Sequence, residues 1–145
     1  MIGLLQRVST ASVSVDNAVI GEISRGLLVF VAVHRDDEEC DIQRLADRVL
    51  TYRVFPDAED RMNLSVQDIS GGLLLVPQFT LTADTRKGTR ASFTKAADPG
   101  KASDFFDQLV AICRTGLDTV EAGRFAADMQ VSLTNDGPVT FWLES

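Results

Sequence analysis

At 145 residues with 45% apolar and 24% charged residues, the chain is long enough to bury a core, and its composition is that of one globular domain spanning residues 1–145. No apolar run approaches the roughly 20 residues of a membrane span, and Gln6 and Arg7 interrupt Met1–Leu5 before a signal-peptide core can form, so a cytoplasmic protein is expected. A formal charge of −7 argues against a polyanionic partner except where cations are locally gathered, and a single histidine, His34, excludes histidine-based zinc sites and paired histidine acid–base chemistry.

The first third reads as strands. Ser12–Val15 alternates, Asp16-Asn17 supplies turn residues, and Ala18–Ile23 resumes an extended pattern. After a second turn at Ser24-Arg25-Gly26, the unbroken apolar run Leu27–Val33 predicts a strand buried on both faces. A helix should follow, capped by Asp36 with Glu39 closing a capping box, and with Ile42, Leu45, Ala46, Val49 and Leu50 on its buried stripe. Cys40 falls in its first turn. Pro56 and the acidic stretch Asp57–Asp60 read as loop, and Gly71-Gly72 leads into a second buried strand, Leu73–Val76.

From Thr82 to Ala97 the chain is polar and without periodicity, a length that in a compact domain marks a functional loop. Between Thr85 and Lys101, Arg86, Lys87, Arg90, Lys95 and Lys101 stand against one acid, Asp98, which reads either as a phosphate-binding patch or as a solvated loop. Asp98 then caps a second helix with Pro99 at its first position, and Ala102, Phe105, Phe106, Leu109, Val110 and Cys113 form its apolar stripe. Cys40 and Cys113 fit no metal spacing and read as reduced thiols. Met129, Val131 and Leu133 alternate with polar residues, Asn135-Asp136-Gly137-Pro138 turns the chain as in a hairpin, and Val139–Leu143 is the last strand. Two one-faced helices against many strands imply a mixed, largely antiparallel α/β domain with both helices outside the sheet.

The chain has no phosphate loop, no GxGxxG, no GxSxG elbow and no HExxH. His34 follows a buried strand and reads as a strand-end residue ahead of a general base. Two polar segments adjoin apolar strands: Pro77-Gln78-Phe79-Thr80-Leu81 and Asn135-Asp136-Gly137-Pro138-Val139-Thr140. Together they resemble the two signature motifs of the D-aminoacyl-tRNA deacylases, an SQFTL-type and an NxGPVT-type sequence. The resemblance extends to Met1–Val8, to Arg90-Ala91-Ser92-Phe93 (an RPSF-type loop) and to Gly123–Val131 (a GRFxADMQV-type segment). The chain departs from the pattern in Pro77 for Ser, in Ala91 for Pro, and in its acidity. A related animal deacylase family with a PQATL-type motif also carries Pro at the first of these places. Phe79 and the NxGPVT form side with the D-specific family.

The resemblance implies a three-layer α/β/β fold and a homodimer with two sites at its interface. It also implies hydrolysis of the ester of D-aminoacyl-tRNA, and of mischarged glycyl-tRNA, as chiral proofreading in translation. It places the catalytic centre at Gln78, Phe79 and Thr80, with the Phe79 and Thr80 amides as oxyanion donors. Thr80 reads either as a positioning group or as a nucleophile that has no base to activate it. By the same resemblance, a cis Gly137-Pro138 bond reaches into the neighbouring subunit's pocket and turns its carbonyls toward the substrate amino group, with Arg7 supporting it. An L side chain would meet rigid backbone there, a D side chain would point away, and glycine has nothing to exclude. Met129 and Gln130 fall near the adenosine, and Arg86–Lys95 along the acceptor stem. The ribose 2′-hydroxyl of the tRNA would assist, and no metal or organic cofactor is needed. Three other readings remain at this point. They are a deacylase of relaxed chirality, a non-catalytic RNA-binding module, and a general esterase working through Thr80.

Overall fold

The computed structural model describes residues 1–145. Its first strand, β1 (Ile2–Val15), organises the rest by pairing with three others. Its N-terminal half runs antiparallel to β3 (Gly26–Ala32) from Ile2↔Ala32 to Val8↔Gly26, and its C-terminal half runs antiparallel to β2 (Ala18–Ile23). The β1–β2 turn is built as the sequence requires, with Asp16 and Asn17 both left-handed at φ of 51° and 64°. Next to β3, in parallel, lies β6 (Gly72–Pro77), followed in parallel by the short β7 (Val120–Ala122). Between β3 and β6 the helix α1 (Glu39–Thr51) and a small hairpin, β4 (Phe55–Pro56) and β5 (Met62–Leu64), make the crossover; α2 (Pro99–Gly116) precedes β7.

Burial follows from these pairings. Leu27, Val29, Val31, Leu73 and Leu75 face the helices and join a core that holds the whole predicted stripe of each helix, from Ile42 to Leu50 and from Ala102 to Cys113. Their alternates Leu28, Leu74 and Val76 face the other way and meet Val8, Ala11, Val13 and Ile23 from the folded-over half of β1 and β2. The order is therefore helices, sheet, sheet, and the central strands are buried on both faces as their unbroken apolar runs require. At Gly26 and Gly72 the strands approach so closely that a Cβ on Gly26 would lie 1.9 Å from the Gly72 carbonyl oxygen.

Three local expectations are corrected. The cap of α1 is Glu38, not Asp36: Glu38 and Asp41 form the reciprocal box, with the Glu38 amide donating to Asp41 at 2.8 Å. Asp36 stays exposed beside Arg35, while Asp37 is engaged by the His34 amide at 2.6 Å and the Met1 ammonium at 2.7 Å. Pro56 is paired in β4 and not in the loop, which is Asp57–Asp60 as read. Asp57 accepts from the Glu59 and Arg61 amides and from Asn63, closing the β4–β5 hairpin and seating Phe55 in the core.

The third correction matters most for function. Asn135-Asp136-Gly137-Pro138 does not reverse the chain; β8 is one strand, Gln130–Glu144, antiparallel to the whole of β1. Pairing passes from Gln6↔Thr140 to Val8↔Asn135, two residues along β1 against five along β8, so three surplus residues are extruded as a bulge. Just beyond it, Val8↔Asn135 gives way to Thr10↔Thr134, which leaves Ser9 surplus on β1. The two irregularities sit where β1 leaves one sheet for the other. A proline that has no N–H to give makes a bulge, not a tight hairpin, the workable solution here.

Candidate active site

The parallel ladder between β6 and β7 stops for a reason visible in the sequence. Gly123 donates to the Leu75 carbonyl at 2.8 Å, and the next bond across would need an N–H at Pro77. The chains part there. Into the opening falls a cavity of about 530 Å³, walled by Val76–Phe79 on one side, Phe125–Met129 and Val131 on the other, and Ala97, Pro99 and Ala102 from the approach to α2. Its lining is mostly apolar, and Gln78 and Asp128 are the polar side chains on it. Met129 is held by close packing, since a Cβ on Gly123 would lie 2.8 Å from its sulfur. Ala126 turns the wall at a left-handed φ of 60°.

The first motif leaves β6 as a single 3₁₀ turn, Phe79–Thr82. Gln78 is tied back to β3 by its amide, 2.7 Å from the Val31 carbonyl, and Thr82 closes the turn by donating to the Phe79 carbonyl at 2.8 Å. The amides of Phe79 and Thr80 open this turn and find no acceptor in the chain. The Gln78 side-chain amide donates to the Thr80 hydroxyl at 2.5 Å, leaving the hydroxyl hydrogen free and giving it no basic neighbour. His34 lies at the end of β3, bridged to Ala96, and does not line the cavity. Chemically, the arrangement offers an apolar receptacle walled in part by Phe79, with two unpaired backbone donors at Phe79 and Thr80 and an amide-oriented hydroxyl on Thr80.

The second motif is held from both sides. Asn135, whose part the sequence alone did not disclose, clamps the bulge: its Oδ1 accepts from the Val139 amide at 2.6 Å, and its Nδ2 donates to the Val139 carbonyl at 3.2 Å and to Thr140 Oγ1 at 3.0 Å. Arg7 supplies the other side, with Nε donating to the Asp136 carbonyl at 2.9 Å and Nη1 to the Val54 carbonyl at 2.6 Å. Gly137 sits at φ 137°, with Arg7 Nη2 3.0 Å from where a Cβ would stand, and the Gly137–Pro138 bond is cis. The Asn and Thr of the motif were the signal: a side chain able to satisfy a backbone amide four residues on, and a hydroxyl to receive it.

Gln78, Phe79 and Met129 share the cavity, and Thr80, next along the chain, is not part of its lining. Gln130 is exposed at the start of β8, opposite Ser14, and is not part of the lining. Arg7, Gly137 and Pro138 form a separate cluster that does not line the cavity of the same chain. The wall Phe125–Asp128 was missed as site residues, although the segment carrying it stands out by resemblance.

The basic loop is reduced by its own partners. Arg86 is forked onto Asp84, with Nε 2.9 Å and Nη2 2.5 Å from its carboxylate, and this holds the Asp84 carboxyl well below the ordinary carboxylate range. Lys101 is spent on the Arg35 and Asp37 carbonyls at 2.7 and 2.6 Å. Lys87, Arg90 and Lys95 make no ion pair and no side-chain hydrogen bond. Elsewhere, burial pushes the Cys113 thiol up to about 12, which leaves it chemically inert.

A family model described as D-Tyr-tRNA(Tyr) deacylase matches residues 4–144. A D-aminoacyl-tRNA deacylase of Alkalilimnicola ehrlichii is 61% identical over 145 residues, covering 100% of this chain and 97% of the relative. One from Vibrio vulnificus is 56% identical over 144 residues, covering 99% of each. Among solved structures, a c-Myc DNA unwinding element binding protein superposes with a TM-score of 0.95 at 34% identity, over 100% of this chain and 99% of the other. A probable eukaryotic D-amino acid tRNA deacylase shares the fold, with a TM-score of 0.88 at 16% identity over 99% and 98%.

Proposed function

The chain belongs to the D-Tyr-tRNA(Tyr) deacylase family and is a hydrolase that cleaves D-aminoacyl-tRNA, and on that premise we propose that the cavity beside the Phe79–Thr82 turn receives the 3′-terminal adenosine of the tRNA. The observation that carries this reading is an apolar receptacle of about 530 Å³ walled in part by Phe79, where the Phe79 and Thr80 amides are occupied by nothing in the chain. An adenosine fills the receptacle, with Met129 against it, and the ester carbonyl comes to lie at the Phe79 and Thr80 amides.

Ester hydrolysis then needs little from the side chains. Water attacks the carbonyl carbon, and the oxyanion that forms is met by the two amides, which are already in place and cost no reorganisation. The water proton passes to the adjacent ribose 2′-oxygen as that hydroxyl protonates the departing 3′-oxygen, so the products are the free amino acid and intact tRNA. Thr80 positions the substrate through its free hydroxyl hydrogen, held by Gln78; the absence of a base beside it speaks against attack by the threonine itself.

Chirality is read by the bulge. Because Arg7, Gly137 and Pro138 do not reach the cavity of their own chain, the protein works as a homodimer in which each copy lends its Gly137–Pro138 carbonyls to the other's site. They accept from the substrate ammonium, and an L side chain is directed into backbone clamped by Asn135 and Arg7. Glycine, lacking a side chain, passes the same filter, so glycyl-tRNA is a second substrate. The place of action follows from the substrate, the cytoplasm; no helix is long and apolar enough to cross a membrane.

Incubation with D-Tyr-tRNA and L-Tyr-tRNA in parallel tests this reading. Release of tyrosine from the D-ester alone is expected. Cleavage of both would show that the bulge does not filter, and loss of all activity in Thr80→Ala, with retention in Thr80→Ser and activity on simple aryl esters, would make Thr80 the nucleophile.

A further inference from the structure

We propose that Phe79 and Phe93 form a stacking platform for the unpaired nucleotide that precedes the terminal adenosine, with Lys87, Arg90 and Lys95 facing its phosphates. The proposal rests on the reading of the cavity as the adenosine site.

Large apolar side chains are exposed at only five positions: Val19, Met62, Phe79, Phe93 and Trp142. Two of the five stand side by side. The Phe79 and Phe93 rings lie 5.1 Å apart at 55°, with Phe79 57% and Phe93 40% exposed. A contact kept on the surface in this way leaves ring faces for something else to cover. Phe79 also lines the cavity, so the pair adjoins it.

Neither ring is placed by chance. Phe79 is fixed by the 3₁₀ turn. Phe93 follows Ser92, which exchanges two backbone bonds with Asp84 at 2.8 and 3.1 Å, and the Phe93 carbonyl accepts from the Ala96 amide at 3.0 Å. The loop is in turn moored to the end of β3 through Arg35 to Lys95 and Ala97 to Val33, both at 3.0 Å.

Charge selects the occupant. Residues 83–97 hold four cations (Arg86, Lys87, Arg90, Lys95) and one acid, Asp84, a net of +3 on a chain of net −7. With Arg86 and Asp84 satisfying one another, the three remaining cations are those without partners. An aromatic pair on a loop that carries unpaired cations matches a single nucleic-acid strand, which brings a π-face and a phosphate with each residue. The acceptor end of a tRNA is single-stranded where it would cross this surface.

The test uses two substrates of the full-length protein, D-Tyr-tRNA and D-tyrosyl-adenosine, the latter lacking the preceding nucleotides. Phe93→Ala should lower kcat/KM on the tRNA ester roughly tenfold, as loss of a base–aromatic stack does, and leave the adenosine ester unchanged. Phe93→Leu, which keeps the bulk, should behave like Phe93→Ala, and Phe93→Trp should restore activity. Replacing Lys87, Arg90 and Lys95 with alanine should flatten the salt dependence of log kcat/KM on tRNA by about two units of slope. Equal losses on both substrates, no loss on either, or a change in sedimentation of Phe93→Ala pointing to a second copy on the pair would overturn the platform while leaving the deacylase reading intact. A wild-type protein inert toward both esters would remove the reading on which it stands.

Discussion

At the scale of single residues, selectivity as proposed depends on groups that never touch the reacting bond. Asn135 makes three hydrogen bonds across the bulge, and its shortest replaces a ladder bond that the surplus residues abolish. Asn135→Ala should therefore lower the D-over-L ratio of kcat/KM by roughly tenfold to a hundredfold, as displacement of a positioning group by about 1 Å does. Asn135→Asp keeps the Oδ1 acceptor for Val139 and should retain most of the discrimination. A parallel loss of D-ester activity and thermal stability, with the ratio unchanged, would reduce Asn135 to a scaffold residue. Gly26 provides the opposite case, a residue with no part in the site. A methyl group placed 1.9 Å from the Gly72 carbonyl oxygen cannot be accommodated, so Gly26→Ala should cost more than about 4 kcal/mol and fail to yield folded protein. Recovery of a soluble variant with wild-type melting would refute this.

Among the elements, the helices were the most legible in the sequence, because their periodicity is local. All six stripe positions read for α2 are its buried ones, and Asp98 caps it by accepting from the Lys101 amide at 3.1 Å. For α1 the stripe was equally plain, but several acids in close succession offered more than one cap, and Asp36 was the wrong one. Asp98→Ala should cost about 1 kcal/mol, whereas Asp36→Ala should stay within about 0.5 kcal/mol, a difference that urea unfolding resolves. Strand β8 was misread because Asp-Gly is local turn chemistry, while the ladder that keeps the chain straight joins it to β1 more than a hundred residues away. The site divided the same way. The Phe79–Thr82 turn and the bulge stood out as polar segments beside apolar strands, but the Phe125–Asp128 wall has no local signature apart from the resemblance. The loop cations could be counted in the sequence, but which of them are spent on Asp84 and on the Arg35 and Asp37 carbonyls depends on the fold.

For the whole molecule, the acidic balance sets the response to pH. Hydrogen bonds from neighbouring amides and side chains hold the carboxyls of Asp41, Asp57 and Asp68 below the ordinary 3.8, and the Arg86 fork does the same for Asp84. A depressed carboxyl stabilises the folded state above its unfolded value, and that contribution is lost as the pH falls through the folded one. Melting temperature should thus hold level from pH 7 to about pH 5 and decline below about pH 4; an unchanged value at pH 3 would show that these bonds do not persist in solution. Catalysis should follow a different course. No histidine lines the cavity, so His34→Ala should leave the pH profile of kcat/KM on D-Tyr-tRNA unchanged, and a changed profile would bring His34 into the reaction.

The bulge has one more consequence, for solubility. Strand β8 is 15 residues long and pairs only with β1, so its other side presents a line of backbone donors and acceptors of the kind that invites edge-to-edge aggregation. Extruding three residues at mid-length, one of them without an N–H, divides that line into two short stretches that a single straight strand cannot match. A variant in which residues 136–138 are deleted to restore regular pairing would lose the bulge proposed to filter handedness and also gain an unbroken sticky edge. It should precipitate at concentrations where the natural chain stays dissolved, which links the shape proposed to read the substrate to the shape that keeps the protein in solution.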